Sequence, residues 1–151
     1  MQTRAVLGIG FLFCATLFFC SQVWAQGDDI EKRRLLMESN NEAATKTIGK
    51  AAKEGNFAEV QVQAKAIMEN MDHVLELFPK GSTSEKSRAK AEIWEKWDEF
   101  TKDAGQAKKA AEALADAAKA KNEAEVNAKL KALGEACASC HKSFRAPRKS
   151  S

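Results

Sequence analysis

Between residues 57 and 78 the apolar side chains fall at Phe57, Val60, Ala64, Ile67, Met71, Val74 and Phe78, in steps that alternate three and four residues throughout. Steps of that length return to one face of an α-helix, whereas a half-buried strand would alternate at every second residue. Such a seam belongs to a helix packed lengthwise against partners. The chain is thereby constrained to a helical bundle.

Other segments repeat the three-and-four pattern. Residues 28–54 carry Ile30, Arg33, Met37, Ala44, Ile48 and Ala51, with Asp28 and Asp29 at the start and Gly55-Asn56 as the stop. Residues 88–120 carry Ile93, Trp94, Trp97, Phe100, Ala104, Ala107, Ala111, Leu114 and Ala118. Ser82-Thr83-Ser84-Glu85 precedes them as a capping box for that helix or a short turn before it. Residues 123–144 carry Val126, Leu130, Leu133, Cys137, Cys140, His141 and Phe144, and Pro147 ends the run. Alanine, lysine and glutamate dominate, and the only prolines are Pro79 and Pro147. Four amphipathic helices with short connections predict an all-α fold, an antiparallel four-helix bundle.

The first 25 residues read differently. Arg4 precedes an apolar stretch from Ala5 to Cys20, and Val23 and Ala25 supply the small residues of a signal-peptidase site. We therefore expect residues 1–25 to be a cleaved signal peptide and residues 26–151 a single exported domain. The apolar run is short for a membrane span, and Phe18 and Phe19 are too bulky for lipoprotein processing at Cys20. Acids and bases are interleaved and the net charge is only +3, which speaks against a nucleic-acid footprint.

Loss of the leader removes Cys14 and Cys20 and leaves Cys137-Ala138-Ser139-Cys140-His141. This is the C-x-x-C-H spacing of covalent haem attachment. On a helix, positions i, i+3 and i+4 share one face, so two sulfurs can join the vinyl groups of one macrocycle while the imidazole reaches its iron. A disulfide would close too short a loop to constrain much chain and would leave His141 unexplained. Zinc would need a further ligand, and the remaining histidine, His73, has no companion and reads as a boundary residue beside the seam. Trp94, Trp97 and Phe100 form an aromatic patch suited to wall the haem. The basic tail of Arg145, Arg148 and Lys149 is either a solvated terminus or a contact for an acidic partner or a haem propionate.

Taken together, Arg33-x-x-x-Met37, Leu77-Phe78-Pro79-x-Gly81-Ser82, Ser87-Arg88-Ala89-Lys90, Ile93-Trp94-x-x-Trp97-x-x-Phe100 and Cys137-x-x-Cys140-His141-x-x-Phe144-Arg145 resemble the class II c-type cytochromes. These are cytochrome c′ and its low-spin relative cytochrome c556. The resemblance implies a left-handed bundle, one covalent haem c per chain, a periplasmic location in a Gram-negative bacterium and a homodimer through the first two helices. It assigns Cys137 and Cys140 to the thioethers and His141 to the proximal axial position. It also places Arg145 near that histidine, where it would tune the imidazole or simply favour a helix C-terminus.

Met37 falls where the family's first helix faces the distal side of the haem. If its sulfur binds iron, the protein is a six-coordinate electron carrier for periplasmic redox partners and not an enzyme. If it only packs there, the iron is five-coordinate and open to nitric oxide or carbon monoxide. Met68 and Met71 are further thioethers, on a helix that reads as seam packing. A peroxidase would need a distal histidine with an arginine, which the chain lacks.

Overall fold

The computed structural model describes residues 15–148, with side chains from residue 27 onward. The side chains of the expected leader, residues 1–25, thus lie outside the described part. Among the described residues no helix is long and apolar enough to cross a membrane.

The first helical segment is α1 (Ala15–Glu42), a π turn (Ala43–Thr47) and α2 (Ile48–Lys53) in continuous succession. In the π turn the Ile48 N–H bonds the Ala43 carbonyl, five residues back. That wider turn brings Ala43 and Ile48 onto the buried side together. The helix stops where Gly55 adopts φ 68°, a conformation that costs a residue with a Cβ. Asn56 belongs to the next element, since its side chain accepts the Glu59 N–H at 3.2 Å and caps α3 (Phe57–His73). A 3-10 turn, Val74–Leu77, tightens the end of that segment.

The third segment departs from the expectation of one helix from residue 88. Residues 82–91 are irregular, α4 (Glu92–Glu95) is a single turn, and Lys96 leaves helical geometry at φ −123°, ψ 48° before α5 (Trp97–Lys119). Nor does Ser82 cap a helix. It is fully buried and serves as a hydrogen-bond acceptor for Arg33. A buried guanidinium needs acceptors for its donors, and that demand overrides the local capping pattern. Lys121, at φ 54°, turns the chain into α6 (Glu123–Phe144), which Asn122 caps by accepting the Glu125 N–H at 3.1 Å.

The most extensive helix contacts are α3 with α5 and α5 with α6. Ala104, Ala107, Ala111, Ala115 and Ala118 line the buried side of α5, and side chains this small allow close approach of neighbouring helices. The core has two parts. One holds Ile48, Val60, Ala64, Ile67, Leu114, Val126 and Leu133. The other holds Val74, Phe78, Ile93, Phe100 and Phe144. Isolated Ala89–Arg145 bridging is the only strand-like pairing among the described residues.

Candidate functional site

Cys137, Cys140 and His141 lie on α6 where the two parts of the core meet. All three are partly buried. Cys137 packs against the first cluster and Cys140 against the second, the spacing of one helical turn carrying them across the boundary. Around the second cluster the fold assembles Leu36 and Met37 from α1, Leu75 and Leu77 from the 3-10 turn, Ala89 from the loop and Trp94 from α4. Met37, Trp94 and Cys140, widely separated in sequence, are therefore members of one apolar group. Met71 touches both clusters.

Aromatic packing makes the floor of this region stiff. Phe100 meets Phe78 edge-on at 4.9 Å and Phe144 at 5.4 Å between centroids. The Trp94 indole N–H donates to the Phe78 carbonyl at 3.1 Å, which fixes the ring. Trp97, 37% exposed, tilts against Phe100 at 5.6 Å and lines a surface recess with Trp94, Leu75, Phe78 and Pro79, at the outer edge of this wall.

Arg33 is 4% exposed yet aims into the loop. Its Nη1 donates to the Leu77 carbonyl at 3.2 Å and the Ser82 hydroxyl at 2.8 Å, and its Nη2 to the Ser82 carbonyl and the Ser87 hydroxyl, each at 2.6 Å. The guanidinium also sits 4.6 Å from the Phe78 ring centroid. Burial pushes its pKa down, but arginine starts high enough to remain charged. Arg33 thus fastens α1 to the loop that walls the site. His73 is exposed and 3.6 Å from Glu76, so it stays apart from the cysteines as a boundary residue.

A clamp holds the end of α6. The Lys90 N–H donates to the Phe144 carbonyl at 3.1 Å, the Ala146 N–H to the Arg88 carbonyl at 2.8 Å, and Arg88 Nε to the Ala146 carbonyl at 2.9 Å. Lys90 Nζ reaches the Ser143 carbonyl at 2.9 Å. Sequence reasoning singled out the Ser87–Lys90 stretch without giving it a task. Nothing local in those residues reveals a pairing with a segment more than 50 positions away.

The electrostatics suit the residue types. Burial, then the neighbouring Arg145 and Arg88, pushes His141 down to about 4, so its ring is neutral near pH 7 with a nitrogen lone pair to offer. Burial raises Cys137. Burial, with Asp103 and Cys137, pushes Cys140 up to about 12 against the opposing pull of Arg145. Two free thiols and a neutral imidazole on one helix face, with a thioether among the apolar side chains around them, form a donor set that fits haem c. Among the described residues no group of three or more histidine, cysteine or acidic side chains could hold a metal ion, which leaves a zinc scaffold without its ligands.

Residues 28–145 match the family described as Cytochrome C′. The chain is 43% identical over 89 residues to the cytochrome c′ of Pararhodospirillum photometricum, an alignment covering 58% of this chain and 71% of that one. It is 32% identical over 136 residues to a cytochrome c-556 of Agrobacterium fabrum, covering 87% and 91% respectively. Among solved structures it superposes with a TM-score of 0.74, at 26% identity, on a cytochrome c′ described as having ligand-controlled dimer dissociation. That likeness covers 81% of this chain and 97% of the other.

Proposed function

The chain belongs to the cytochrome c′ family, whose members bind covalent haem c, and from that premise we propose that it is a one-electron carrier with His141 and Met37 as axial ligands. Bound haem supplies a reversible ferric–ferrous couple. Cys137 and Cys140 hold the macrocycle as thioethers, and the neutral imidazole of His141 offers its lone pair to the iron. Met37, from the opposing α1, supplies a soft sulfur that favours the ferrous state. Trp94 and the surrounding leucines exclude water, Trp97 stands at the rim, and Arg33 holds the walling loop in register. Burial, aided by Arg145 and Arg88, keeps a second proton off the imidazole.

The observation that carries this reading is that Met37 packs in the same apolar cluster as Cys140. The relative named cytochrome c-556, aligned over 87% of this chain, agrees with it. The proposed setting is the periplasm of a Gram-negative bacterium, after removal of residues 1–25 from the domain 26–151. Its partners there are redox proteins, together with a second copy of the chain paired through the first two helical segments. A structural relative is described as a dimer, which supports a second copy as partner though not which helices pair.

A second reading has Met37 only packing over a five-coordinate iron, with nitric oxide or carbon monoxide as ligand. Identity of 43% to a relative named cytochrome c′ favours it. Absorption spectra decide between them. The carrier reading expects low-spin ferric and ferrous bands, no carbon monoxide uptake by the native protein, and uptake by Met37→Ala. A Met37→Ala protein with the native spectrum would overturn it in favour of gas binding.

A further inference from the structure

Eight of the surface cations have acidic neighbours. Lys32, Arg34, Lys46, Lys50, Lys96, Lys108, Lys129 and Lys131 each lie within 4 Å of a carboxylate. Others, among them Lys53, Lys65 and Lys80, form no ion pair among the described residues, and what sets the C-terminal end of α6 apart is that such cations gather there. Arg88, Lys90, Lys142, Arg145 and Arg148 converge there, and among the described residues none of the five forms an ion pair.

Their proximity is fixed by geometry. Lys142 and Arg145 are one turn apart at the end of α6, the clamp ties Arg88 to Ala146, and Lys90 Nζ reaches Ser143. Arg88 and Arg148 both act on Arg145, lowering its pKa after burial does. A helix C-terminus offsets only about half an elementary charge. Asp103, which acts on Cys140, is the one acid registering at the attachment residues. Most of the positive charge therefore has no internal counterpart, and the fold bears the repulsion.

We propose that this end of the molecule is a docking surface for a protein partner with an acidic face, formed by Arg88, Lys90, Lys142, Arg145 and Arg148 around the exposed side of His141. Complementary charge of this kind steers encounter and sets orientation. A protein suits the arrangement better than an anionic lipid surface. Lipid electrostatics are usually read by pliable polybasic segments, whereas here backbone hydrogen bonds tie the stretch bearing Arg88 and Lys90 to the end of α6 that bears Lys142 and Arg145. The proposal goes beyond the axial-ligand reading and does not need Met37 to bind iron.

The test uses the holoprotein, a polyglutamate peptide as the acidic probe and titration calorimetry in low salt. Lys142→Glu with Arg148→Glu reverses charge at two exposed positions to which the proposed function gives no role. Lys46→Glu with Lys131→Glu, at exposed sites elsewhere, is the net-charge control. We expect the native protein to bind the peptide, with affinity falling about tenfold or more in the Lys142/Arg148 variant and in about 0.5 M salt, and far less in the control. The visible spectrum should be unchanged in both variants. Equal losses in variant and control, or no loss in either, would overturn the proposal. So would binding to phosphatidylglycerol vesicles with none to the peptide. A five-coordinate spectrum would revise the ligation while leaving this measurement standing.

Discussion

Arg33 and Ser82 bury each other. The guanidinium donates to the serine hydroxyl at 2.8 Å and to its carbonyl at 2.6 Å, across 49 residues of sequence, and Ser82 has no exposure at all. Removing the hydroxyl strips one acceptor from a charge that water cannot reach. Ser82→Ala should lower the free energy of unfolding by about 1–3 kcal/mol, read as a shift in the urea midpoint with the slope unchanged. An unchanged midpoint would mean that Arg33 draws its support from Ser87 and the carbonyls of Leu77 and Ser82.

Lys121 holds φ 54° between α5 and α6, where a side chain is strained and glycine is not. Lys121→Gly should stabilise the protein by about 1 kcal/mol, raising the melting temperature without altering the visible spectrum. A lower melting temperature would show that the lysine side chain contributes more than its backbone strain costs.

Leu114 is fully buried in the first core cluster, whereas Val62 on α3 is 58% exposed. Leu114→Ala should cost about 2–5 kcal/mol by denaturant unfolding, through lost transfer energy and the cavity left behind. Val62→Ala should stay within about 0.5 kcal/mol of the parent. Similar losses for the two would contradict the burial pattern described for α3 and α5.

Replacing both thiols, Cys137→Ala with Cys140→Ala, should return the bare polypeptide mass under denaturing conditions. Either single replacement should still carry the porphyrin through the remaining sulfur. Mass spectrometry of protein matured in a haem-attaching host makes the measurement, and a porphyrin retained by the double variant would remove these thiols from the site.

The seam from Phe57 to Phe78 was legible because burial on a helix repeats with the helix, and Val60, Ala64, Ile67, Val74 and Phe78 are all buried. The α6 stripe was legible for the same reason, down to Leu133 and Phe144. The split between α4 and α5 was not. Lys96 is neither proline nor glycine, and its departure from helical geometry leaves no mark among the neighbouring residue types. At the site, the spacing of Cys137, Cys140 and His141 announced the chemistry, and the seam put Met37 on an inward face. What Arg33 does stayed hidden, because its partners Leu77, Ser82 and Ser87 are 44 to 54 residues away.

The bridge between Ala89 and Arg145 closes a circuit of more than 50 residues that contains α4, α5 and α6. Bringing such distant backbone groups together carries a loop-closure entropy that the intervening helices must already have offset by packing. The turn bearing His141 is thereby moored to a loop more than 50 residues upstream, so whatever loosens that distant loop also loosens the backbone beside the attachment residues.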